Sequence, residues 1–100
     1  MPACVLSELA RTDLFEIADY TVDTWGEAQA LRYLSKIEEA LDLLAKNPST
    51  GRRCDSIRRA YRRHEVGEHV LFYLVRKEEV FISRILHGRM LPTQDRLIDS

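Results

Sequence analysis

Six arginines crowd the middle of this 100-residue chain: Arg52, Arg53, Arg58, Arg59, Arg62 and Arg63. A guanidinium is always charged, and its planar fork of donors can grip a carboxylate or phosphate by two oxygens at once. The cluster therefore suits an anion, either the backbone of a nucleic acid or the acidic surface of a protein. If the anion were a scissile RNA phosphate, arginine would stabilise the charge building on the phosphorane while a Tyr, His or Glu moved protons. Tyr61, His64, His69 and His87 are residues of the right types. The plainer reading is that the arginines alternate along a strand and pair with carboxylates elsewhere in the chain. On strand spacing, Arg58, Arg62 and His64 share a face with Ala60 and Val66, and Arg59 and Arg63 share the other with Ile57 and Tyr61. Neither face is wholly polar. Arg62 or Arg63 is thus expected to be half-buried, paired with a carboxylate or stacked on a ring.

Other chemistries lack their residues. His64, His69 and His87 stand apart, with no set of His, Cys, Asp or Glu at ligand spacing, so no metal or other cofactor is expected. Cys4 and Cys54 are too few and too widely spaced for a disulfide framework. The four glycines are scattered, so no phosphate-cradling loop is present, and no serine sits in a nucleophile elbow. The neighbours Glu38-Glu39 and Glu78-Glu79 cannot face each other on a helix or strand, and read as solvated surface. His87, in Leu86-His87-Gly88, reads as a hydrogen-bonded residue at a strand end.

The elements that must position the arginines follow from patterning. Residues 69–75 (HVLFYLV) and 80–86 (VFISRIL) are β-branched and aromatic, as strands are. The polar break Arg76-Lys77-Glu78-Glu79 suits the hairpin between them. Residues 57–66 are expected to add a third strand that turns at Gly67, completing an antiparallel meander whose outer faces carry guanidinium groups. Residues 2–6 (PACVL) read as a first strand, and Ser7 as the N-cap of a helix. In that helix Ala10, Leu14, Ile17, Thr21 and Val22 form the apolar stripe, Asp13, Glu16, Asp19 and Asp23 take other faces, and Gly26 is the stop. A second helix carries Ala30, Tyr33, Leu34, Ile37, Leu41 and Leu44 and ends by Asn47-Pro48. The short connection makes the two an antiparallel hairpin, whose apolar stripes need the sheet for cover. Ser49-Thr50-Gly51 reads as loop, and Thr93 as the cap of a last short turn.

Length and composition fit this α+β reading. One hundred residues make one domain, able to bury roughly 65% of its extended surface. Hydrophobic residues are 45% and charged residues 31%, ordinary for a soluble protein. No apolar run nears the roughly 20 residues that span a bilayer, and no signal-peptide pattern opens the chain, so it is expected in the cytosol, away from membranes. The net charge of −1 hides an asymmetry. Residues 1–51 hold four Lys/Arg against nine Asp/Glu, and residues 52–100 hold eleven against seven. The two halves can pair internally, or the basic half can face an anionic partner.

The order of elements, with its phrases, resembles the RelE/ParE superfamily of bacterial type II toxin–antitoxin toxins, and the ParE branch within it. The phrases are Leu6-Ser7 with Ala10, Asp13-Leu14, Ile17 and Tyr20; Trp25-Gly26 with Gln29-Ala30 and Tyr33; and Leu44-Ala45 with Asn47-Pro48 and Gly51-Arg52. Tyr61-Arg62-Arg63, Gly67 with His69-Val70 and Phe72-Tyr73, and Ile85-Leu86-His87 with Arg89-Met90 complete the set. Leu91 stands where an Asp often follows the Arg-Met pair. The resemblance implies an N-terminal strand and an antiparallel two-helix hairpin packed on a mainly antiparallel sheet.

The resemblance also implies a function. ParE-like toxins poison DNA gyrase without being enzymes, and a ParD-like antitoxin with a ribbon-helix-helix DNA-binding domain wraps a segment around them. Operator DNA is then met only through the antitoxin. RelE-like relatives instead cut mRNA on the ribosome, using Lys/Arg on the sheet and a C-terminal Tyr. Here no Tyr follows Arg84 and no Lys follows Lys77. A gyrase inhibitor is therefore expected, the alternatives being a ribosome-dependent mRNA endonuclease or a degenerate toxin that only binds its antitoxin. By position, Arg84, His87, Arg89 and Met90 are candidates to touch the target. Arg58, Arg59, Arg62, Arg63, Leu14 and Ile17 are candidates to bind the antitoxin or an anion.

Overall fold

Ser7 organises the start of the chain. Its extended backbone follows strand β1 (Ala3–Leu6), and its hydroxyl accepts from the Ala10 N–H in the first turn of helix α1 (Glu8–Trp25). The computed structural model describes residues 3–54, 60–77 and 79–88. Gly26, at φ 91°, closes α1 and opens helix α2 (Glu27–Lys46), so the hairpin turns on one residue, in a conformation open to glycine. Asn47 ends α2 before Pro48, and residues Pro48–Thr50 make a single 3-10 turn, where loop is expected from the sequence.

The remaining elements are strands β2 (Arg52–Arg53), β3 (Arg62–Val66), β4 (His69–Arg76) and β5 (Glu79–His87). They form one sheet in the order β1-β5-β4-β3-β2. β1 runs parallel to β5, with Cys4 opposite Val80, and every other pair is antiparallel. The expected meander is therefore present, flanked by two further strands. β3 is shorter than the expected 57–66: Ala60 sits in a turn at φ 70°, and residues 57–59 lie outside the described ones. The arginine strand β2 has no apolar alternation to announce it.

Register is broken once. Tyr73 faces Ile82 and Phe72 faces Arg84, which leaves Ser83 as an extra residue in β5. The bulge lets Ile82 and Ile85 both reach the helix side, where they join Ala10, Ile17, Ile37, Leu44, Leu71 and Tyr73 in the main core. The opposite face of the sheet is not the guanidinium surface expected from the sequence. Val70, Phe72 and Leu86 pack there with Cys54 and Tyr61, because the unbroken apolar runs of β4 and β5 place large side chains on both faces.

The Tyr73 hydroxyl ties the loop after α2 to the sheet. It donates to the Pro48 carbonyl at 2.7 Å and accepts from the Gly51 N–H at 2.8 Å. Burial pushes its pKa up, against the Gly51 hydrogen bond. A Cβ on Gly51 would lie 2.7 Å from the Arg63 carbonyl oxygen, so only glycine fits there. Tyr73→Phe strands a buried N–H and is expected to destabilise the fold by about 2 kcal/mol, read as a lower urea midpoint at unchanged slope.

Candidate functional site

Helix α1 turns most of its expected stripe inward, with Asp13 added to it and Val22 left out. Its buried positions are Ala10, Asp13, Ile17 and Thr21, while Leu14 is only half-buried and Val22 is exposed. Asp13 is buried because it has partners on β5. Its carboxylate accepts from Arg84 Nε and Nη2, both at 2.8 Å, and from the Ile85 backbone N–H at 2.9 Å. Beyond Leu6, where β1 ends, the outer edge of β5 is met by side chains of the α1 region. Ser7 donates its N–H to the Ile82 carbonyl and its hydroxyl to the Ser83 carbonyl, and Asp13 takes the Ile85 N–H. Asp13 is 9% exposed and the Arg84 side chain 17%. Arg84, a candidate to touch a target, is thus held in a two-pronged ion pair against the core. Ile17, a candidate contact for a partner, is itself in the core.

Around this pair Glu16, Tyr20, His69 and His87 line a shallow depression of about 300 Å³. His69 and His87 are directly opposite in the register, with rings at 5.4 Å and near right angles. The Tyr33 hydroxyl lies 2.5 Å from His69 Nδ1, 3.1 Å from the Glu68 N–H and 3.2 Å from the Val66 carbonyl oxygen. With one proton to give, Tyr33 satisfies all three contacts when it donates to Val66 and Nδ1 carries the imidazole proton. Burial, then the neighbouring His87, lowers the pKa of His69, with Glu68 and Asp13 opposing. The unfolded chain therefore takes up a proton first, at the ordinary value of 6.5. Stability present above that pH is expected to fall as pH drops toward the depressed native value. Denaturation at pH 7 and pH 5 checks this: His69→Gln should flatten the pH dependence.

The arginines divide into distinct environments. Arg62 donates through Nη1 to the Gly51 carbonyl oxygen at 2.6 Å. Arg63 stacks over the Phe72 ring at 5.7 Å and lies 4.0 Å from Glu65, as expected for one of this pair. Arg52 meets Glu65 at 2.5 Å. Arg58, Arg59, Arg89 and Met90 lie outside the described residues. The Asp13–Arg84 ion pair joins the acidic half of the chain to the basic half, whereas Arg52–Glu65 and Arg76–Glu79 lie within the basic half. Among the described residues no group of three or more His, Cys, Asp or Glu could hold a metal ion, and no helix is long and apolar enough to cross a membrane.

A further concavity was not anticipated. An apolar groove of about 610 Å³ runs between α1 and α2 along β1, the outer strand of the sheet. Cys4, Leu6, Leu14, Phe15, Leu34 and Leu41 form its walls, with Arg11 and Glu38 also lining it. Phe15 is 74% exposed, a large ring with little of its own fold against it. The Cys4 thiol is pushed up to about 11 by burial and then by Asp42, so this wall is neutral at physiological pH. Of the candidate target-contact and binding residues named in the sequence, Leu14 alone lies here. The available signal was a second stripe beside the buried one, in Phe15, Ala18 and Val22.

Comparison with known proteins places this geometry. A family model described as "ParE toxin of type II toxin-antitoxin system, parDE" matches residues 4–92. Toxin ParE1 of Mycobacterium tuberculosis is 46% identical over 87 residues, which covers 86% of this chain and 89% of that protein. Toxin ParE1 of Caulobacter vibrioides is 36% identical over 85 residues, covering 85% and 88%. A solved structure titled as a chromosomal ParDE TA system from P. aeruginosa superposes with a TM-score of 0.76 at 24% identity, over 87% of this chain and 96% of that one, and shares the fold.

Proposed function

The chain belongs to the ParE toxin family of type II toxin–antitoxin systems, and from that premise we propose that it inhibits DNA gyrase and is silenced by a ParD-like antitoxin seated in the groove between α1, α2 and β1. The observation that carries the antitoxin half is the groove itself. It offers apolar walls on both helices beside β1, the end strand among the described residues, two features that an amphipathic segment can use together. Exposed Phe15 supplies a ring for that segment to cover.

The target half rests on family membership and on residue types. The chain acts by binding and catalyses no step, in the cytoplasm where gyrase works. No Tyr follows Arg84 and no Lys follows Lys77, so the proton-moving residues of the mRNA-cutting relatives have no counterpart in the last strand and tail. A supercoiling assay with purified gyrase tests the proposal. Inhibition, or trapped cleaved DNA, that the antitoxin reverses is the expected result. Intact supercoiling together with mRNA cleavage on ribosomes would replace gyrase with the ribosome.

A further inference from the structure

We propose that the tip of the helix hairpin is a self-association surface, where a second copy of this chain packs through Val22, Trp25 and Leu31. All three are large apolar side chains in the open: Trp25 is 68% exposed, Leu31 65% and Val22 40%. On α1 the residues Phe15, Ala18, Val22 and Trp25 recur at three, four and three, the spacing of a seam that packs on another helix. The groove takes Phe15 and Ala18 from this series, and its lining on α2 reaches up to Leu34. Val22, Trp25 and Leu31 lie beyond it toward Gly26, so a partner in the groove does not account for them.

The hairpin is matched to a copy of itself. Gly26 is the hinge, so residues at equal distance on either side of it are level. Val22 stands four residues before Gly26 and Leu31 five after it, while Asp19 stands seven before and Arg32 six after. With a rise of about 1.5 Å per residue, each of these pairs is level to within one step. A two-fold axis parallel to the helices lays α1 of one copy antiparallel on α2 of the other. Val22 then meets Leu31 and Asp19 meets Arg32, and the rotation makes each contact twice.

Charge favours the same pairing. Residues 16–23 hold three carboxylates and no cation, and residues 29–36, at matching distance beyond Gly26, hold two cations and no carboxylate. Among the described residues no ion pair closes between these stretches within the chain, and Arg32 is turned to Gln29 on its own helix at 2.8 Å. Here α1 is an acidic strip and α2 a basic one. A segment of single charge laid across both is mismatched to one of them, whereas the same hairpin turned over is matched to both. Two copies make four helices with neighbours antiparallel, and Trp25 closes the end of the seam.

The test is sedimentation equilibrium of the purified chain without antitoxin from about 1 to 500 µM, with the emission of Trp25, the one tryptophan of the sequence, followed alongside. A monomer–dimer equilibrium with a Kd on the order of 10–100 µM is expected, as suits an interface at the small end of the size range, and the emission should move to the blue as the dimer fills. Leu31→Glu should weaken the dimer by about 100-fold or more, because each dimer carries the buried charge twice. Asp19→Arg should weaken it by about 10-fold by setting like charges together, and Asp19→Arg/Arg32→Asp should restore it. If Leu31→Glu loses its circular dichroism signature, the charge-swap series decides. A chain that stays monomeric with fixed emission at every concentration overturns the proposal, as does a folded Leu31→Glu that dimerises like the wild type. A double swap that fails to recover overturns the packing of α1 on α2. The measurement uses the chain alone, so its failure leaves the occupant of the groove untouched.

Discussion

Asp13→Ala is expected to lower the stability of the chain by about 3–5 kcal/mol, because it takes the carboxylate from a guanidinium in a site already stripped of most of its water. Arg84 would lose both of its carboxylate hydrogen bonds, and Ile85 the acceptor for its N–H. Against the 5–15 kcal/mol typical of a domain, the loss is a large fraction of the whole. Thermal or urea denaturation reads it directly, and for a chain of this size each kcal/mol moves the thermal midpoint by roughly 4–8 °C. The double variant Asp13→Leu/Arg84→Met separates charge from shape. It removes both ions and fills the space with apolar side chains, so it should recover much of the loss and keep only the deficit of the unpaired Ile85 N–H. A penalty under about 1 kcal/mol for Asp13→Ala would mean that the pair is hydrated and ordinary.

Phe15→Ala is expected to weaken antitoxin binding by about 2–4 kcal/mol, or roughly 30- to 1,000-fold, while leaving the denaturation midpoint where it is. The two readouts part company because the ring is largely exposed in the free chain and would be buried only beneath a partner. Leu34, half-buried on the opposite wall, would mix the two effects and is the poorer probe. Titration calorimetry with the antitoxin measures the first quantity. An unchanged affinity would place the antitoxin elsewhere on the molecule and remove the groove from the account.

What the sequence discloses here is whatever repeats locally. Ser7 as cap, Gly26 as hinge, Asn47-Pro48 as stop and the apolar runs of β4 and β5 each announce themselves within a few residues, and each is where it was expected. Asp13 does not. Its partner is 71 residues away, and a carboxylate on a helix reads as surface until that partner is known. The same blindness hid β2, which is held by pairing with β3 and has no pattern of its own, and the bulge at Ser83, which changes which side chains of β5 meet the helices. That Arg62 or Arg63 would be half-buried, paired or stacked was legible because strand alternation forced a guanidinium onto an apolar face, and Arg63 does both. The groove was not, since it needs both helices and β1 in place before its walls exist.

The parallel pairing of β1 with β5 has a consequence in time. Cys4 waits for Val80, and at the usual synthesis rate of about 5–20 residues per second some 4–15 s separate their appearance. Throughout that interval the first strand and both helices have no sheet to lie on. The Ser7 and Asp13 clasps close only after Ile85 has been made. The groove along β1 therefore takes its final shape only after β5 has been made, in the same step that completes the sheet.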